Sequence, residues 1–162
     1  MTYLEDLEDF LGTREARRVA ILGIGSPIRG DDSVGLEVLD YLKEKDLSDE
    51  VLLLRTETVP ESFTGEVRAY SPTHIILLDA AHFEGEPGEV RVIPPDKIKG
   101  QTVSTHNMPL SIFVEFLKKS ITGNVILLGI QGVNIGFQES LTPSVRRGVE
   151  ELADKIYKVL VK

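Results

Sequence analysis

Cysteine is absent from the 162 residues. That excludes a thiol nucleophile, a CxxC redox pair and a thiolate metal site, and leaves His, Asp and Glu as metal ligands. Positive charge is in deficit, with 18 Lys and Arg against 26 Asp and Glu, for a net charge of −8. A chain of that sign repels phosphate, and no basic stripe offsets it, so a nucleic-acid binder is not expected. An anionic membrane surface is an equally poor match. A cationic ligand, or a partner presenting a metal or a basic segment, suits the charge better. No apolar run approaches the length of a bilayer span, so no membrane insertion is expected. The opening residues Met1-Thr2-Tyr3-Leu4-Glu5-Asp6 lack the basic-then-apolar order of a signal peptide, which points to a cytoplasmic protein.

What is there reads as an ordinary globular chain. Hydrophobic residues make up 41% and charged residues 27%, and the length suits one domain over 1–162. Residues 1–18 stand apart as an N-terminal helical extension, with Tyr3, Leu4, Leu7, Phe10 and Leu11 on one helical face. The remainder alternates. Apolar patterning predicts strands over 19–25, 51–57, 74–80, 88–94 and 124–130, and helices over 33–45, 61–70, 108–119 and 143–161. The runs Ile75-Ile76-Leu77-Leu78 and Val125-Ile126-Leu127-Leu128 are continuously apolar, as strands buried on both faces should be. Thr142-Pro143 supplies an N-cap and a proline at the first helical position, ahead of a stripe through Val145, Val149, Leu152, Ile156 and Leu160.

One connection breaks the alternation. Only residues 81–87 separate the third strand from the fourth, whereas a parallel crossover needs about a dozen residues or more. The fourth strand should therefore run antiparallel to the others. Residues 95–105 then extend to at most roughly 33–40 Å, ample against a typical strand of about 20 Å, so the chain can return to the opposite sheet end. That return delivers His106 to the end where the first strand finishes.

The loop Gly23-Ile24-Gly25-Ser26-Pro27-Ile28-Arg29-Gly30-Asp31-Asp32 finishes that strand and sets two adjacent carboxylates at its carboxyl end, where open α/β sheets bind ligands. Asp79 closes the buried third strand, a position where a carboxylate is costly unless paired, hydrogen-bonded or bound to a cation. Each candidate has an ordinary explanation when taken alone. The two acids can decorate a surface, Asp79 can cap backbone amides, and His106 can pack ahead of its helix, which Asn107 can cap and Pro109 can begin. Together, Asp32, Asp79 and His106 come from three segments to one crevice and make a ligand set suited to zinc or nickel. Three protein ligands leave room for water or a substrate group. His74 belongs to the opposite sheet end, and His82 lies near the site end in a loop. The dinucleotide fingerprint fails at Ile28, although Glu57 imitates its ribose-binding acid, and Asp31 and Asp32 would repel a pyrophosphate. No Gly-Lys-Ser/Thr P-loop and no GxSxG nucleophile elbow occurs.

The assembled pattern resembles the nickel–iron hydrogenase maturation endopeptidases. The resemblance rests on Gly23-Ile24-Gly25-Ser26 through Asp31-Asp32-Ser33-Val34-Gly35, on Leu77-Leu78-Asp79-Ala80, and on Ser104-Thr105-His106-Asn107-Met108-Pro109-Leu110. Thr58-Val59-Pro60-Glu61, Pro87-Gly88-Glu89-Val90 and Leu128-Gly129-Ile130-Gln131 add weaker matches. The segment Thr105–Leu110 and the strand end Gly129-Ile130-Gln131 are most similar to the branch serving formate-hydrogenlyase-type hydrogenases. The sequence departs at position 26, serine where asparagine is usual, and at position 33, serine where many members have glycine. The resemblance implies a three-layer α/β/α fold with a mixed five-stranded sheet and an antiparallel fourth strand. It implies an endopeptidase that removes the C-terminal extension of a hydrogenase large-subunit precursor after nickel insertion, with the nickel arriving on the substrate. Asp32, Asp79 and His106 would hold the nickel. Either carboxylate would act as general base, or a metal-bound water as nucleophile. The turn at Gln131 and Gly132 is expected to hold the substrate tail. A non-catalytic nickel-binding checkpoint or chaperone on the same fold is the competing reading, and a nucleotide-dependent α/β enzyme a weaker third.

Overall fold

The computed structural model describes residues 2–99, 109–137 and 140–162. Helix α1 (Tyr3–Leu11) starts where Thr2 Oγ1 accepts from Glu5 N at 3.3 Å, and it buries Leu7 and Leu11. The alternating part follows as β1 (Val19–Ile24), α2 (Val34–Lys43), β2 (Val51–Glu57), α3 (Thr64–Tyr70) and β3 (His74–Ala81). It continues through β4 (Val90–Ile93), α4 (Leu110–Ser120), β5 (Asn124–Gln131) and α5 (Pro143–Leu160). The five strands form one sheet in the order β2-β1-β3-β5-β4. β4 runs antiparallel to β5 and every other pairing is parallel, as the short connection after β3 requires.

Side chains alternate across a strand, so each buried strand feeds two cores. Ile21, Ile76, Leu78, Ile126 and Leu128 pack with Leu7, Val38, Leu42, Val149, Leu152 and Ile156, which places α1, α2 and α5 on one face. Leu22, Ile75, Leu77 and Leu127 pack with Val67, Phe113, Val114 and Leu117, which places α3 and α4 on the other. The result is the expected three-layer α/β/α arrangement. α1 lies against the edge strand β4 and against α5. Behind it, Arg17 is buried and donates from Nη2 to Leu160 O at 3.1 Å, a cation placed at the carbonyl end of α5.

Several element boundaries differ from the sequence expectation. The helices expected over 33–45 and 61–70 each begin as a 3-10 turn, at Gly30–Ser33 and Pro60–Phe63. In the first of these, Ser33 Oγ donates to Gly30 O at 2.8 Å, a local side-chain bond that competes with the helical ladder. The strand expected over 88–94 shrinks to four residues. Pro94 has no N–H to offer the ladder, and Gly88 turns with a φ of +87°. The helix expected from 108 starts at Leu110, residue 108 lying outside the described residues.

The first turn of α2 fits onto the sheet by an absence of side chain. A Cβ on Gly35 would overlap the carbonyl oxygens of Leu78 and Ile24, so α2 reaches the ends of β3 and β1 only because this residue is glycine. Gly35→Ala must push two buried backbone segments apart. It is expected to destabilise the protein by at least ~2 kcal/mol in urea unfolding, with little change in the slope of the transition.

Candidate active site

The sheet order fixes where a site forms. From β1 the chain adds β2 on one side and β3 on the other, so the winding direction reverses at β1 and β3. A crevice opens outside the carboxyl ends of strands at such a switch point. β3 also outruns its neighbour. The last register partner of β3 on β1 is Leu78, paired with Gly23, and Asp79 is the next residue. Asp79 is fully buried, and its Oδ1 accepts from Ala80 N at 2.8 Å, which orients the carboxylate. It shares its strand face with Leu77 and Ala81, the face covered by α3 and α4.

The loop after β1 supplies the second carboxylate. Gly25 takes a φ of +144°, and a Cβ there would overlap Asp32 O, so the chain folds back on itself at a point only glycine allows. Ser26 N donates to Asp32 O at 3.2 Å and Asp32 N to Arg29 O at 3.0 Å. The 3-10 turn that follows carries Asp31 and Asp32, both fully buried, and lies against β3. Asp32, three residues before Gly35, and Asp79, the residue after Leu78, thus lie on the two segments that meet where Gly35 packs against Leu78. His106, the third, lies outside the described residues. Among the described residues, no group of three or more His, Cys, Asp and Glu side chains is arranged to hold a metal ion.

Asp31 does something different from its neighbour. Its Oδ2 accepts from Val133 N at 2.9 Å, Asn134 N at 3.0 Å and Thr142 Oγ1 at 2.7 Å, while Oδ1 accepts from Thr142 N at 2.8 Å. Its own N–H donates to Asn134 O at 2.8 Å. One buried carboxylate therefore ties the loop after β1 to the loop after β5 and to the residue that begins α5. Burial pushes its carboxyl upward, but the backbone donors Asn134, Thr142 and Val133 and the Thr142 hydroxyl outweigh that and hold it below the usual carboxylate range. The sequence suggests Thr142 as the N-cap of α5. In the fold its hydroxyl donates to Asp31 and makes no capping bond, with Pro143 still in the first turn.

The sequence model of the hydrogenase maturation protease family matches residues 36–159. The chain belongs to that family. A nickel–iron hydrogenase maturation protease from Thermococcus kodakarensis, known by crystal structure, superposes with a TM-score of 0.86 at 35% identity. The match covers 97% of this chain and 99% of that one. A protein of Methanocaldococcus jannaschii provisionally named hydrogenase maturation protease is 38% identical over 131 residues, 76% of this chain and 78% of that one. The hydrogenase 3 maturation protease of Escherichia coli is 31% identical over 137 residues, 84% of this chain and 86% of that one.

The remaining candidates lie at both ends of the sheet. Gln131 is buried, and its Oε1 accepts from Phe83 N at 3.0 Å and Gly85 N at 3.1 Å. Its Nε2 donates to Gly132 O at 2.9 Å, and His82, exposed, stands 3.5 Å from the same nitrogen. Gln131 thus fastens the loop between β3 and β4 to the end of β5, beside the half-buried Gly132. Glu57 pairs with Arg55 at 2.7 Å. His74 sits at the start of β3, at the far end of the sheet, with its ring edge-on to Phe10 at 5.1 Å. Sequence reasoning passed over two charged residues at the site end. These are Arg29, whose guanidinium lies 5.2 Å from the Phe137 ring centre, and Glu61 in the turn after β2. A single arginine inside an otherwise acidic loop is the signal that points to the first.

Proposed function

We propose that this protein is an endopeptidase that removes the C-terminal extension of a nickel–iron hydrogenase large-subunit precursor after nickel has been inserted. The observation that carries the reading is the pair of fully buried carboxylates, Asp32 and Asp79, set at the switch-point crevice of a maturation-protease fold. Water-excluded carboxylates at a sheet crevice suit a cationic ligand. Nickel enters as part of the substrate. Asp32, Asp79 and His106 would hold it, two oxygen donors and one imidazole being a set that a borderline divalent ion accepts. Held there, the ion would serve as the recognition element that positions the bond to be cut, and it would supply Lewis acidity beside it.

The chain's own residues do the rest. Asp32 or Asp79 takes the proton from the attacking water, and the acid so formed returns it to the departing amine nitrogen. The bond from Ala80 N fixes the orientation of Asp79 for this, and the strap built on Asp31 fixes the loop that bears Asp32. Gln131 holds the loop over 82–85 against the mouth, and Gly132 borders the path of the substrate tail. The chain acts as one domain over 1–162, with 1–18 as an extension that braces the sheet edge, and it works in the cytoplasm. Among the described residues no helix is long and apolar enough to cross a membrane.

The test is intact-mass spectrometry of a nickel-loaded large-subunit precursor before and after incubation with the purified protein. Loss of one C-terminal fragment is expected, with its mass giving the cut site. A precursor that stays whole while bound to the protein would leave the non-catalytic checkpoint as the reading.

A further inference from the structure

Two opposite charges at the site end hold polar atoms without partners. Arg29 Nε and Glu61 Oε2 are both buried, and among the described residues neither has a hydrogen-bond partner. They do not pair with each other. Buried polar atoms left unpaired are costly and uncommon, so each calls for a partner from outside the fold, water or ligand. Their places in the fold are adjacent. Arg29 follows β1 and Glu61 follows β2, and these neighbouring strands finish side by side, Gly25 N donating to Glu57 O at 3.0 Å.

Exposed apolar side chains stand at the same end of the sheet. Seven large hydrophobic side chains are exposed among the described residues, and four of them, Ile28, Val59, Val133 and Phe137, stand in the loops that follow β1, β2 and β5. Phe137 is 79% exposed and carries the Arg29 guanidinium above its ring. Exposed apolar side chains that share one end of the sheet with unpaired polar atoms suit a binding surface.

We infer that Arg29 and Glu61 bind the main chain of an extended, apolar segment of the substrate's C-terminal region, next to the bond that is cut. An extended peptide presents C=O and N–H groups along its edge, so it offers an acceptor to Arg29 Nε and a donor to Glu61 Oε2 at once. Its side chains then rest on Ile28, Val59 and Phe137. A nucleotide or a free anion satisfies the arginine and repels the glutamate. A peptide satisfies both. Arg29 and Glu61 are positioning residues in this scheme, acting on binding and leaving the chemistry to Asp32 and Asp79. The inference rests on the peptidase reading above, and the experiment separates the two.

Arg29→Met and Glu61→Met remove the orphaned atoms and keep the bulk. Each is expected to raise KM for the nickel-loaded precursor about tenfold with kcat within about twofold of wild type, the signature of lost ground-state binding. Because neither atom has a hydrogen-bond partner among the described residues, both variants should melt at or above the wild-type temperature. Unchanged KM in both, a loss confined to kcat, or a lowered melting temperature in both would overturn the inference. Should the wild type release no tail, surface plasmon resonance with the same precursor and with a tail-deleted large subunit decides separately. Tighter binding of the tailed form that Arg29→Met abolishes keeps the surface while the peptidase reading fails. Equal binding of the two forms overturns the surface.

Discussion

Asp32→Asn and Asp79→Asn are each expected to slow release of the tail from a nickel-loaded precursor by about 10³-fold, with the fold retained. The amide keeps the shape of the carboxylate and removes its charge. Both side chains are shielded from water, so neither solvent nor a mobile neighbour can substitute for the lost charge. In Asp79→Asn the amide oxygen can still accept from Ala80 N, which preserves the strand end and isolates the electrostatic change. Single-turnover cleavage followed by intact mass gives the rate, and far-UV circular dichroism gives the fold. Wild-type rates in both variants would reject the site outright. His106→Ala should match them in rate.

Asp31→Ala, one position away, should fail in another manner, losing stability before activity is considered. It strands three backbone N–H groups and a hydroxyl that now converge on one carboxylate. Leaving such donors unsatisfied amounts to at least ~3 kcal/mol, or a melting temperature lower by about 10 °C for a chain of this size. The effect depends on pH in a defined direction. The folded carboxyl titrates below its unfolded value of about 3.9, so its stabilisation is fully present above that value. It drains away as the pH falls through the depressed folded value, because only then does the folded state take up the proton. The gap between wild type and Asp31→Ala in urea unfolding should therefore be widest near neutrality and should narrow below about pH 4.

These two neighbours show how far the sequence could be read. The direction of β4 was legible because chain length alone forbids a parallel crossover after β3; the strand order was not, and the site end was inferred from the acids at the carboxyl ends of β1 and β3. The pair Asp31 and Asp32 was visible as a motif. The division of labour between them was less so, because the groups that bond Asp31 lie 102 to 111 residues away, beyond any local pattern. Gln131 is a similar case. Its place at the end of β5 suggests a loop open to substrate, while its amide is engaged with Phe83, Gly85 and Gly132. The 3-10 turns at Gly30–Ser33 and Pro60–Phe63 read as helix because hydrophobic spacing over four residues cannot separate the two. Arg29 and Glu61 gave no periodic signal at all. Their interest lies in what is missing around them, which only packing reveals.

The strap on Asp31 also sets an order of events during synthesis. A nascent chain emerges from its N-terminus, so the loop bearing Asp31 and Asp32 leaves the ribosome long before Val133, Asn134 and Thr142 exist to close it. Until those residues arrive, the Asp31 carboxylate lacks the three N–H groups and the hydroxyl that it accepts from in the fold. A chain clipped before Thr142 therefore loses the tie between the loop after β1 and the start of α5 along with its last helix.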